Sequence, residues 1–203
     1  MRVSFAGPLP SAGLIVSNHL SYLDILFYSS LMPCIFVSKA EVLDWPLFGT
    51  LARCGGTVFV ERGRGTVIES VSRQMTNVLE QGIPVILFPE GTSTDGSSVL
   101  RFFPSLFEGT VKTGISVFPS AIAYEAADAR EAELCYYGDI SFGPHLLSVL
   151  SRKDVHARIA FPAHGVSYQD RKSAAYDARE QVIAHRAILT TREPRTVREL
   201  DPA

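Results

Sequence analysis

Short runs rich in β-branched and aromatic residues alternate with segments of helical periodicity along most of the 203 residues, and this alternation restricts the chain to layered α/β architectures. Strand composition falls at residues 14–17, 34–38, 57–60, 83–88, 116–124, 133–137 and 155–161. Helices are expected at 22–31, 46–53, 66–81, 104–113, 144–150 and 171–189, with Pro46, Pro104 and Pro144 each placed in a first turn, where a missing amide costs nothing. In the 66–81 segment Val67, Val71, Met75, Val78 and Leu79 recur at helical spacing, so that helix should cover one face of a sheet. The expected fold is α/β, a mixed, largely parallel sheet flanked by helices in an αβ sandwich. One domain over 1–190 is expected, followed by a loose C-terminal tail, 191–203, that contains Arg192, Pro194, Arg195 and Pro202.

Composition narrows the function. Hydrophobic residues make up 46% and charged residues 20%, and mean hydropathy is +0.15, apolar for a soluble protein. With 19 Lys and Arg against 21 Asp and Glu the net charge is -2, which supplies no basic field to hold nucleic acid. Cys34, Cys54 and Cys135 are widely spaced and form neither a zinc knuckle nor a disulfide framework, which fits a reducing compartment. The uncharged stretch 3–23 has the length of a membrane span, but Gly7, Pro8, Pro10, Gly13, Asn18 and His19 interrupt it. No export signal is visible.

Two polar blocks sit where apolar runs end. In Asn18-His19-Leu20-Ser21-Tyr22-Leu23-Asp24 a histidine precedes a carboxylate by five positions, at the start of an expected helix. Asp24 could fix the tautomer of His19 and leave its other nitrogen as a general base, the logic of a hydrolase triad without its serine. The same residues could equally be a capped helix beside a core histidine. The second block, Phe88-Pro89-Glu90-Gly91-Thr92, closes a buried strand. Gly91 allows close backbone approach to a ligand, Thr92 offers a hydroxyl, and Glu90 is hard to bury without a partner. A third segment, 55–65, places Arg62 and Arg64 among glycines, a setting suited to a phosphate monoester but also to a solvated turn. A fourth, 117–124, is an apolar strand whose Pro119 points to an edge or a bulge.

His145, His156, His164 and His185 lack metal-chelating spacing, so no metal site is expected. No Gly-x-Ser-x-Gly elbow nominates a serine nucleophile, which disfavours a covalent acyl-enzyme.

In order and separation these four blocks resemble the glycerolipid acyltransferase family, and within it the bacterial 1-acyl-sn-glycerol-3-phosphate acyltransferases. The resemblance covers residues 14–124 and continues weakly to Arg179. It implies transfer of a fatty acyl group from acyl-CoA or acyl carrier protein to the sn-2 hydroxyl of a lysophospholipid, with lysophosphatidic acid giving phosphatidic acid and no further cofactor. It also implies that His19 is the base and Asp24 its partner. Glu90, Gly91 and Thr92 would organise the acceptor, and Arg62 would hold its phosphate. Ser93 stands where many members have arginine, and Phe103 where a basic residue often follows, leaving Arg101 as the nearest cation. A lyso-ornithine lipid or another lysolipid is therefore a second candidate acceptor.

Family members often carry hydrophobic helices before the histidine block, so attachment at the cytoplasmic face of a bacterial inner membrane is expected, peripherally or through a missing N-terminal segment. Leu43, Trp45, Leu47 and Phe48, or Phe102, Phe103, Leu106 and Phe107, could form the apolar patch that touches the membrane surface. Two rivals stay open: a hydrolase using His19, Asp24 and Glu90 as metal ligands, and a noncatalytic lipid-binding module.

Overall fold

A computed structural model describes residues 1–39, 58–60, 65–191 and 198–199. The first strand, β1 (Arg2–Ala6), precedes β2 (Leu14–Val16), α1 (Leu23–Leu31), β3 (Ile35–Lys39), β4 (Val58–Val60), α2 (Gly65–Glu80) and β5 (Val85–Leu87). A 3-10 turn at Pro104–Phe107 leads into α3 (Glu108–Thr113), followed by β6 (Val117–Pro119), β7 (Ala121–Glu125), α4 (Glu131–Leu134), α5 (Phe142–Ser151), β8 (His156–Ala160), α6 (Arg171–Thr191) and β9 (Arg198–Glu199).

The strands form two sheets. Five run in the order β4-β3-β5-β2-β6, all parallel, and four in the order β7-β8-β1-β9. The parallel sheet is covered on both faces, as its continuous apolar strands require. Leu14, Val16, Val85 and Leu87 pack with Met75 and Leu79 of α2 and with Ala174, Ala178 and Val182 of α6. The intervening Ile15 and Ile86 face the other layer, with Leu23, Phe27 and Tyr28 of α1. That division by alternate residues is the expected αβ sandwich.

Register decides where the polar blocks emerge. Leu14, Ile15 and Val16 pair in parallel with Val85, Ile86 and Leu87 on one side and with Val117, Phe118 and Pro119 on the other. All three strands end at the same level, so residues 17–19, 88–90 and 120 leave the sheet at one edge.

The structure differs from the sequence expectations at four places. The run 116–124 is two strands, because Pro119, on edge strand β6, has no amide for continued pairing. After Ser120 the chain joins the second sheet, with Ala121 opposite Ala160. The run 133–137 is not a strand: Arg130 and Glu133 pair one helical turn apart and Leu134 is fully buried, so the segment closes the short helix α4. Strand β1, unread in the sequence, is a half-buried run that pairs in parallel with β8. Within the tail expected to be loose, Arg198 and Glu199 pair with Phe5 and Ser4. The helix expected at 46–53 lies outside the described residues. Among the described residues, no helix is long and apolar enough to cross a membrane.

Candidate active site

His19 is held at every polar atom of its backbone. Its amide donates to Glu90 Oε1 at 2.9 Å, and its carbonyl accepts the Thr94 amide at 2.9 Å. The ring stacks on Phe88 with centroids 4.2 Å apart. Its Nδ1 lies 2.7 Å from Asp24 Oδ2, and the side chain remains 22% exposed while that of Asp24 is 0% exposed. With Nδ1 occupied, Nε2 is the nitrogen free to take a proton from a ligand.

Asp24 owes its position to the tight entry into α1. Its Oδ2 also accepts the amides of Leu20 (2.8 Å) and Ser21 (3.2 Å), and its Oδ1 accepts the hydroxyl of Tyr124. A carboxylate taken out of water is tolerated when its lone pairs are satisfied in this way. Burial first, and the neighbouring Asp24 charge second, push the Tyr124 pKa well above the ordinary phenol range, which keeps that donor protonated.

Glu90 is 4% exposed, and its second oxygen accepts the Leu100 amide at 2.6 Å. Its carboxyl is therefore a strut between the His19 turn and the loop reaching Leu100. Burial pushes its pKa up. Gly91 and Thr92 are exposed at the turn that follows. Gly91 has φ +71°, and a Cβ there would stand 2.9 Å from the Phe103 ring, so both conformation and space call for glycine. Gly91→Ala is expected to destabilise the fold by about 1–2 kcal/mol, read as a lower denaturation midpoint; an unchanged midpoint would contradict the tight approach.

The loop beyond Gly91 is sewn to the rest of the site. Ser93 donates its hydroxyl to the Tyr136 carbonyl, while the Tyr136 amide donates to the Leu20 carbonyl at 2.8 Å. Buried Arg186 of α6 reaches the Gly96 carbonyl (2.5 Å), the Ile122 carbonyl (2.8 Å) and Glu131 Oε2 (2.5 Å). Asn18 bridges to β7, donating to the Ile122 carbonyl and accepting its amide at 3.0 and 2.9 Å. Tyr28 joins Ser17 and Ser120 through hydroxyl contacts of 2.9 Å each.

The structure thus brings His19, Asp24, Glu90, Gly91 and Thr92 together. Arg62 lies outside the described residues, as do Leu43, Trp45, Leu47 and Phe48. Phe102 and Phe107, considered for an apolar surface patch, are 1% and 0% exposed and belong to the core, which leaves Phe103 as the exposed ring at 54%. Asp24 and Glu90, weighed as ligands of one metal with His19, direct their oxygens to N–H and O–H groups. Among the described residues no cluster of three His, Cys, Asp or Glu side chains is arranged to hold a metal ion. Sequence reasoning gave no role to Asn18, Tyr124 or Arg186. Tyr124 and Asn18 stood inside the polar and apolar blocks already singled out, whereas Arg186, one more cation on a helix, carried no signal.

Three of the other histidines, His145, His156 and His185, sit in structural contacts, while His164 is exposed. His156 lies between Glu125 (2.9 Å) and Ser4 (2.7 Å), His185 Nδ1 donates to the Pro119 carbonyl (2.9 Å), and His145 Nδ1 is 3.0 Å from the Tyr22 hydroxyl. Burial lowers the pKa of His145 and of His185 below the ordinary histidine value, and raises that of Tyr22 to about 12. A histidine with a depressed folded pKa binds fewer protons folded than unfolded, so its stabilisation is present above about pH 6.5 and is lost as pH falls below it. Between pH 7.5 and 5.5 the melting temperature should fall further in the wild type than in His145→Gln. Equal falls would contradict this role for His145.

A family model described as Acyltransferase matches residues 2–123. The lyso-ornithine lipid O-acyltransferase of Pseudomonas aeruginosa is 34% identical over 186 residues, covering 89% of this chain and 70% of that protein. The enzyme of the same name from Brucella abortus is 36% identical, covering 87% and 70%. The 1-acyl-sn-glycerol-3-phosphate acyltransferase of Neisseria meningitidis is 30% identical, covering 75% of this chain, which spans only 60% of that relative's length. The crystal structure of the 1-acyl-sn-glycerophosphate (LPA) acyltransferase PlsC from Thermotoga maritima superposes with a TM-score of 0.67 at 21% identity, over 95% of this chain and 74% of that one, a likeness of fold.

Proposed function

The chain belongs to the acyltransferase family, and from that premise we propose that it transfers a fatty acyl group from a thioester, acyl-CoA or acyl carrier protein, to the free hydroxyl of a lysolipid. The observation that carries this reading is the exposed face of a His19 ring whose Nδ1 is fixed 2.7 Å from fully buried Asp24. The acceptor hydroxyl gives its proton to His19 Nε2, and its oxygen attacks the thioester carbonyl carbon. The C–S bond breaks, and the departing thiolate takes the proton back from His19 as the ester forms. Asp24 stabilises the transient imidazolium, so the protein contributes one reversible proton transfer and the alignment of two substrates. The thioester is itself a substrate, and no cofactor enters the balance.

Gly91 and Thr92, on the open turn beside His19, receive the acceptor, and Glu90 sets that turn's distance from the histidine. Exposed Leu100 and Phe103 rim the same turn and would meet the headgroup region of a membrane, on the cytoplasmic face of a bacterial inner membrane where thioester donors are made.

The first acceptor is lysophosphatidic acid, giving phosphatidic acid, with Arg62 on its phosphate. A second reading, a lyso-ornithine lipid, is favoured by Ser93. At that position of the turn a hydroxyl is committed to the Tyr136 carbonyl, and neither it nor Phe103 offers a cation to a phosphate. Detergent-solubilised protein given palmitoyl-CoA and each acceptor in turn, with Arg62→Ala alongside, separates the two. Phosphatidic acid formation weakened in Arg62→Ala supports the first; diacyl product from the ornithine lipid alone supports the second. No acylated lipid from either acceptor, with either kind of donor, would refute the proposal.

A further inference from the structure

A cavity of about 330 Å³ lies between α6 and the 99–104 loop, away from His19 but tied to it. Its walls carry Arg101, Lys172 and Arg179, its floor includes buried Phe102 and Ala175, and Tyr176, 65% exposed, stands at its side. No acidic side chain lines it among the described residues. The nearby acids have other partners: Asp170 caps α6 through the amides of Lys172 and Ser173 at 2.9 Å each, and Glu180 takes Arg179 Nη1 at 2.8 Å. Arg101 and Lys172 make no side-chain ion pair with another described residue, so two cations flank an apolar slot beside an exposed aromatic ring.

Arg179 ties the slot to the loop that supports Glu90. Its Nε and Nη2 donate to the carbonyls of Val99 and Leu100, between 2.7 and 3.2 Å, and so fix the loop whose Leu100 amide holds Glu90. The path from the His19 amide through the Glu90 carboxyl to the Arg101 Cα is about 13 Å at most, so one wall of the slot follows directly on the loop that supports the His19 turn.

We propose that this slot binds the 3′-phosphoadenosine end of the acyl-CoA donor, with Arg101 and Lys172 on the phosphate and Tyr176 against the base. The inference rests on the acyltransferase reading above. The volume suits a nucleotide rather than a diacyl lipid. Arginine and lysine together suit a phosphate monoester, and an exposed aromatic ring suits a planar base.

Calorimetric titration with CoA and with 3′-dephospho-CoA tests the site without any turnover. Wild-type protein should bind CoA on the order of tenfold tighter than the dephospho form, and the Arg101→Ala/Lys172→Ala protein should bind both equally and weakly. Tyr176→Ala should weaken both forms alike. Melting curves matching wild type establish that the variants are folded, and Lys172→Glu, a charge reversal on an exposed helix position, gives an independent variant with the same expected loss. Equal wild-type affinity for the two forms, or undiminished CoA binding in the double variant, would overturn the assignment. So would unchanged CoA binding accompanied by a raised KM for lysophosphatidic acid, or by lost sedimentation with phosphatidylglycerol vesicles. Those results would give the phosphate site to the acceptor or to the membrane. Intact discrimination between CoA and dephospho-CoA in a protein without acyl transfer would refute the proposed function and leave the slot standing.

Discussion

His19→Ala is expected to lower acyl transfer by about 10³-fold or more while leaving the fold intact. The activity loss follows from removing the proposed general base, a contribution of about 10²–10⁴, together with the alignment that depends on it. The fold should survive because the anchoring of this turn is in the main chain: the residue's amide and carbonyl keep Glu90 and Thr94 whatever the side chain. The ring, partly exposed and stacked on Phe88, leaves a shallow gap costing about 1 kcal/mol. Normal turnover in the folded variant would contradict the role given to this residue.

The second large effect concerns Asp24, where two substitutions should come apart. In Asp24→Asn the amide oxygen can still accept from Leu20, Ser21 and His19, while its NH2 turns toward the Tyr124 hydroxyl, which can accept instead of donate. The fold then loses little, but the charge that stabilises a protonated His19 is gone, and turnover should fall by about 10²–10⁴-fold. Asp24→Ala strands those same donors in a fully buried site and should destabilise the protein by about 3 kcal/mol or more. Denaturation midpoints and kcat for both variants test the distinction. Wild-type turnover in a folded Asp24→Asn protein would leave Asp24 a purely structural role.

Much of this was legible from residue order. The apolar runs 14–17 and 83–88 are buried on both faces, so composition alone identifies them as central strands, and the polar groups that follow had to emerge at a strand end. Parallel register between Val16 and Leu87 then brings His19 to Glu90, a step that composition could not supply. The function of Glu90 was legible only in outline. A buried carboxylate needs partners, but that the partners are the amides of His19 and Leu100 depends on how the loop folds back. Tyr124 and Arg186 were opaque because each acts across the fold. Tyr124 reaches Asp24 from a strand of the second sheet, and Arg186 reaches Gly96 and Glu131 from the last helix. The run 133–137 misled because a β-like composition there serves burial of Leu134 and Cys135 at the end of a helical turn.

In the proposed mechanism His19 and Asp24 act without a serine or cysteine nucleophile, so the acyl group should pass directly from donor to acceptor. The most direct measurement is rapid-quench thiol release from palmitoyl-CoA, with and without acceptor, combined with intact-protein mass. Direct transfer predicts one thiol per acylated lipid, no thiol burst without acceptor and no mass increase on the protein. A burst stoichiometric with enzyme in the absence of acceptor, with an added palmitoyl mass, would contradict it.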